Sequence, residues 1–213
     1  MNKEKLLTDP DLKWIDKKIS LEMEPFLDCI RTDPEVFYKF AISYNNFFKR
    51  LTRTYAIITK LNDDAKKVHS SLYKTFSYLG FIESYGNTIV DMLVLLCIAK
   101  GSDFHIECQH TTPRIKHAKT LEDLENERVP LSTKLNFLKD NGFNFLSSII
   151  DTKLRNAIAH MKFEIKGDDI LIDGKQITEV KLTNNTRETV QALIAVHKLI
   201  NEVMSQKGKV QNS

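Results

Sequence analysis

Apolar residues recur at helical spacing along most of this chain, and the spacing lapses in two stretches. Thr8-Asp9-Pro10 has the form of a helix start, with proline at the first helical position. It predicts a short helix through Trp14, Ile15 and Ile19. Asp33-Pro34 repeats the signal, and Val36, Phe37, Phe40, Ala41, Tyr44, Phe47, Phe48 and Leu51 then keep one face apolar. That helix should run to about Leu61, with Asn62-Asp63-Asp64 placed to break and restart it. A longer pattern carries Val68, Leu72, Phe76, Leu79, Ile82, Ile89, Val90 and Leu93 to Lys100-Gly101. A kink is expected at Gly80 or Gly86, where glycine weakens the ladder.

The first lapse covers Ser102 to Pro130, which has no clean period. Helical spacing returns over Leu131–Leu138 and stops at Asp140-Asn141-Gly142. Leu146, Ile149, Ile150, Leu154, Ala157, Ile158 and Met161 then form one stripe, read as one helix. The second lapse, Phe163 to Ile177, alternates with a period of two. It predicts two or three short strands turning at Gly167-Asp168 and Asp173-Gly174. Asn185, with Glu188 three residues on, is placed to cap a last helix carrying Val190, Leu193, Ile194, Val196, His197, Leu199 and Ile200. The predicted fold is all-α: a helical bundle with a small β-hairpin between its last two helices.

A chain of 213 residues is expected to form one domain. That domain spans 1–205, with 1–62 as an additional N-terminal helical layer, 102–130 as a long connection and 206–213 as a flexible tail. The net charge of +3 favours an anionic partner only weakly, because Lys and Asp/Glu are mixed throughout. Cys29, Cys97 and Cys108 form no disulfide framework, and the first residues lack an apolar signal core. The longest apolar run, Met92–Ala99, is too short to span a bilayer. These features predict a cytoplasmic protein with no membrane partner.

The candidate chemistry lies in Leu154-Arg155-Asn156-Ala157-Ile158-Ala159-His160. Arginine can hold a phosphate through a planar fork of donors, and histidine can move a proton near neutral pH. Together they suffice for metal-free RNA cleavage, in which the ribose 2′-OH attacks the neighbouring phosphate. On one helix Arg155 lies about 140° from His160, whereas Asn156 lies nearly in register with it. An exposed arginine and a capping histidine at a helix C-terminus would give the same letters. A second stripe, Glu83, Asn87 and Asp91, sits at i+4 steps on the long helix. Asp91, between Val90 and Met92, is costly to bury without a partner; the stripe is either solvated or faces the motif. His105, Cys108, His110 and His117, with Cys97 upstream, are metal-ligand types. Their spacing holds no Cys-x2-Cys or His-x3-His pair, so no metal site and no cofactor are expected.

The Arg-Asn-Ala-Ile-Ala-His run, followed by the alternating stretch to Ile177 and a final helix, resembles standalone proteins of the HEPN superfamily, with its Arg-x4-6-His motif. The likeness extends over Ser71–Lys100 and Phe143–Gln206, and it leaves the first 60 or so residues unassigned. It implies Arg155 and His160 as catalytic residues, with Asn156 as the polar residue that follows the arginine. It also implies RNA as substrate, no metal, a homodimer that brings two motifs into one cleft, and a defence or toxin–antitoxin setting. A separately encoded antitoxin or regulatory protein is a possible partner. The rival expectations are a non-catalytic RNA- or protein-binding helical module and a purely structural all-α protein.

Overall fold

The computed structural model describes residues 12–65, 70–107, 115–120, 123–124, 129–167 and 169–210. Its helices are α1 (Lys13–Thr32), α2 (Pro34–Ala65), α3 (Ser70–Phe81), α4 (Asn87–Ala99), α5 (Leu131–Asp140), α6 (Asn144–Ile149), α7 (Thr152–Ala159) and α8 (Glu179–Val210). A π-helical turn, Ile82–Gly86, joins α3 to α4 without interrupting the rod. The strands are β1 (His105–Glu107), β2 (Ile115–His117), β3 (Glu164–Lys166), β4 (Asp169–Ile172) and β5 (Lys175–Ile177). The fold is therefore mostly helical, with a small antiparallel sheet between the last two helices, as the pattern predicts.

α4 is the centre of the bundle. Every residue from Thr88 to Cys97 is buried, so this helix has no solvent face and reads as a near-continuous apolar run. The stretch Tyr73–Ala99 has the length and hydropathy of a membrane span. Its most apolar part is 78% buried inside the fold, so its apolarity is used in packing. α2 and α5 pack on α4, while α1 lies along α8. Tyr44 donates to Asn201 Oδ1 at 2.9 Å, and the Gln191 amide donates to Asp16 Oδ1 at 2.6 Å. These bonds tie both N-terminal helices to α8. One continuous core includes Ile15, Phe40, Leu51, Leu93, Leu154 and Val196, so α1 and the first half of α2 share it with the rest of the bundle.

Several boundaries differ from the pattern. α1 runs twenty residues, because Met23, Phe26, Leu27 and Ile30 continue its buried stripe; Thr8–Pro10 lies outside the described residues. α2 passes through Asn62-Asp63-Asp64 to Ala65. The expected glycine kink is instead the π turn that ends at Gly86. The helix read over Leu146–Met161 is two helices, since the chain is extended at Ile150 and Asp151. Glu22 of α1 accepts from the Leu146 amide at 3.1 Å and from the Phe145 amide, satisfying donors at the start of α6. Asp151 caps α7 through the Leu154 amide at 2.9 Å. α8 begins at Glu179, with Thr178 Oγ1 accepting from the Lys181 amide at 3.2 Å. Asn185 therefore lies within the helix, and the expected tail is helical as far as Val210.

The three-stranded sheet runs β3-β4-β5, with Ile170 opposite both Ile165 and Ile177. Asp173 and Gly174, at φ 50° and 73°, make the two-residue turn between β4 and β5. β1 and β2 form a separate hairpin inside the stretch that shows no period in the sequence.

Candidate functional site

Four helices enclose an open cavity of about 600 Å³. The π turn and α4 supply Glu83, Asn87 and Asp91; α7 supplies Thr152, Arg155 and Asn156; α5 supplies Leu131, Ser132 and Lys134; α2 supplies Arg50. The Glu83–Asn87–Asp91 stripe thus faces the motif helix, the sharper of its two readings.

The stripe divides into two ion pairs. Near the surface, Glu83 accepts a hydrogen bond from Arg155 Nε, with side chains 37% and 23% exposed. Asn87 Nδ2 donates to the other Glu83 carboxylate oxygen at 3.3 Å, which fixes the rotamer that meets the guanidinium. An Nη of Arg155 donates to Asn156 Oδ1 at 2.7 Å. Deeper in, Asp91 Oδ1 lies 2.5 Å from Lys134 Nζ, and both residues are buried. Asp91 thereby has the partner its burial demands. Lys134 is a component the sequence reading passed over. Its signal was legible, since it stands among Leu131, Leu135 and Leu138 on the buried face of α5.

Arg155 is positioned by the start of its helix. Asp151 caps α7, and the Tyr78 hydroxyl of α3 donates to the Asp151 carbonyl at 3.3 Å. Burial, with the Asp151 charge added, pushes the Tyr78 phenol well above its ordinary value. It therefore acts as a neutral donor.

His160 stands apart from this cavity. It is the C-terminal cap of α7, is exposed, and donates its backbone N–H to the Asn156 carbonyl at 3.0 Å. Among the described residues its ring has no hydrogen-bond partner. The Asn156 side chain is engaged by Arg155, so within one chain it orients the arginine rather than the histidine. The helix closes in a Schellman arrangement, Lys162 N–H to Ala157 O at 2.7 Å and Met161 N–H to Ile158 O at 3.1 Å. Met161 occupies the left-handed position usually given to glycine, at φ 54°. One short helix thus presents Arg155 to a polar cavity and His160 to solvent.

The other titratable candidates are accounted for separately. Cys97 is buried in α4, where burial raises its thiol to about 12. Cys108 and His110 lie outside the described residues. His197 is half-buried, with Nδ1 2.9 Å from the Tyr85 hydroxyl, and burial lowers its pKa.

Comparison with known proteins gave no match: no family model fits the chain, and no curated protein or solved structure is similar to it.

Proposed function

We propose that this protein is a metal-independent endoribonuclease that acts as a homodimer, in a defence or toxin–antitoxin setting. The observation that carries the proposal is the layout of α7. A guanidinium held in a fixed pose by Glu83 and Asn156 leads the helix, and an exposed imidazole with an unengaged ring ends it. Arg155 would stabilise charge on the phosphorane-like transition state. One His160 would take the 2′-OH proton as the 2′-oxygen attacks phosphorus, and a second would protonate the departing 5′-oxygen. The P–O5′ bond breaks, leaving a 2′,3′-cyclic phosphate and a 5′-hydroxyl.

A second copy is the natural source of the second histidine. The surface beside His160 is apolar and exposed: Met161 at 65%, Ile165 at 41%, and Phe76 at 42% with its ring edge-on to Phe163. Such a patch supports a two-fold interface that apposes the two motifs.

A rival reading has its own support. Glu83 already neutralises Arg155, as expected if the pair only braces α7 against the π turn of a non-catalytic RNA- or protein-binding module.

The deciding experiment is cleavage of labelled RNA by purified protein in EDTA, with the end groups identified. Cyclic phosphate and 5′-hydroxyl ends are expected, and 2′-O-methyl RNA should resist. Dependence on magnesium, or 5′-phosphate ends, would overturn the mechanism; no cleavage at all would favour the binding module. A heterodimer of one Arg155→Ala chain and one His160→Ala chain tests the shared site. It should cleave RNA where each homodimer does not.

A further inference from the structure

β1 and β2 place two histidines that are twelve residues apart directly opposite one another. His105 pairs with His117 in the antiparallel register, and their ring centroids lie 4.5 Å apart. Asp103, two residues before His105, reaches both. Its Oδ1 lies 2.6 Å from His117 Nδ1 and its Oδ2 lies 3.5 Å from His105 Nε2. One ligand atom from each residue falls within 4.8 Å of the other two. None of the three lines the cavity beside Arg155.

We propose that Asp103, His105 and His117 form a binding site for a divalent transition metal of the zinc class. Two imidazole nitrogens and a carboxylate are a donor set that Zn2+ accepts. Bonds of about 2.0–2.1 Å in a tetrahedral arrangement require donor atoms about 3.4 Å apart. Oδ1 lies 2.6 Å from His117 and Oδ2 lies 3.5 Å from His105, and with one donor atom per residue all three fall within 4.8 Å, so small side-chain rotations bring a set to that spacing. The metal would displace the Asp103–His117 hydrogen bond and take the ring nitrogen that makes it. All three side chains are exposed, so a fourth position is open to water.

The hairpin base is anchored, so little ordering remains for the metal to impose. Phe104, between Asp103 and His105, is buried with its ring centroid 4.6 Å from that of Phe137 on α5. Ala118, next to His117, is also buried, and its N–H donates to the Phe104 carbonyl at 3.0 Å. Ser102 donates to Asn141 Oδ1 at 2.5 Å. Inward Phe104 and Ala118 leave Asp103, His105 and His117 together on the outer face, as strand alternation requires. Linear spacing conceals this, because the histidines meet through strand register and not through a short sequence interval.

The test is titration of the tag-free full chain with ZnCl2 by calorimetry, and with CoCl2 by visible absorption. One saturable equivalent is expected, with the visible bands of low-coordinate Co2+. The His105 and His117 ring resonances should shift together. His105→Ala, His117→Ala and Asp103→Asn should each weaken binding at least tenfold, with circular dichroism unchanged because the three side chains are exposed. Millimolar Mg2+ should not compete. Absence of saturable binding, or equal affinity in the His105→Ala/His117→Ala double variant, would overturn the proposal. The readout is binding, so it stands or falls independently of RNA cleavage in EDTA.

Discussion

Replacing Asp91 with alanine leaves the Lys134 ammonium buried without the carboxylate that lies 2.5 Å from it. At an effective dielectric constant near 20, that separation corresponds to an attraction of about 7 kcal/mol. Desolvation of the two ions, several kcal/mol each, offsets most of it. The net worth of the pair is therefore small, while the penalty for breaking it is large, about 3–5 kcal/mol. For a chain of this size the expected fall in Tm is roughly 6–20 °C. Lys134→Ala should fall by a similar amount. The double replacement Asp91→Leu/Lys134→Met should recover to within about 1 kcal/mol of the starting protein, because it removes both charges and keeps the volume. Urea unfolding of all four proteins, read by circular dichroism, gives the comparison directly. RNA cleavage measured well below each Tm should keep its pH profile in the Asp91 variants, since Asp91 braces the cavity floor through Lys134. Single losses under about 1 kcal/mol, or a double variant whose loss equals the sum of the singles, would refute the reasoning. A shifted pH profile in folded Asp91→Ala protein would instead make the carboxylate a participant in the chemistry.

His160→Ala and Arg155→Ala should each reduce cleavage by about two orders of magnitude or more. Tm should barely move for the exposed histidine and should drop by roughly 2–4 °C for the half-exposed Arg155–Glu83 pair; equal thermal losses with unchanged activity would leave only a capping role. Met161→Gly should raise stability by about 0.5–1 kcal/mol, because it relieves a left-handed backbone that a side chain strains; a lower Tm would show that the methionine side chain holds more than its backbone costs. Burial lowers the folded-state pKa of His197 below the ordinary value of 6.5, so the unfolded chain binds its proton first as the solution is acidified. The associated stability is present above about pH 6.5 and is lost as pH falls toward the folded value. His197→Gln keeps an acceptor for Tyr85 and should flatten that decline; an unchanged slope between pH 6.5 and 5 would assign it to other groups.

The helices were legible wherever one apolar stripe met one core. α2, the α3–α4 rod, α5 and α8 all follow from the positions of their buried residues. The break between α6 and α7 was not, because Ile149, Ile150 and Leu154 continue the stripe across it while Asp151 caps the new helix. Periodicity records which residues are buried and is blind to such a cap. The full length of α1 was legible as well, since Ile15, Ile19, Met23 and Leu27 follow one another at i+4 steps. In the site, the burial of Asp91 and the convergence of the Glu83–Asn87–Asp91 stripe on Arg155 could be argued from neighbours alone. The separation of His160 from that cavity could also be anticipated, since it follows from their angular distance on one helix. The burial of Lys134 is legible on the apolar face of α5, but its meeting with Asp91 and the His105–His117 apposition depend on tertiary packing and strand register, which residue spacing does not encode.

The π turn at Ile82–Gly86 has a further consequence, for changes in chain length. Eight residues separate Glu83 from Asp91. In an unbroken α-helix they would differ in azimuth by about 80°, toward opposite edges of one face. A π turn absorbs about one residue without advancing the helix. The separation then behaves as seven α-helical steps, and the two carboxylates come within about 20° of alignment. Both line the same cavity. In an ordinary helix a one-residue deletion rotates everything downstream by about 100° and scrambles the packing. Here, loss of one residue within Ile82–Gly86 would convert the turn to regular α-helix and leave α4 in phase with α3. The rod therefore carries a built-in vernier, a place where the chain can shorten by one residue while both ion pairs of the cavity keep their bearings.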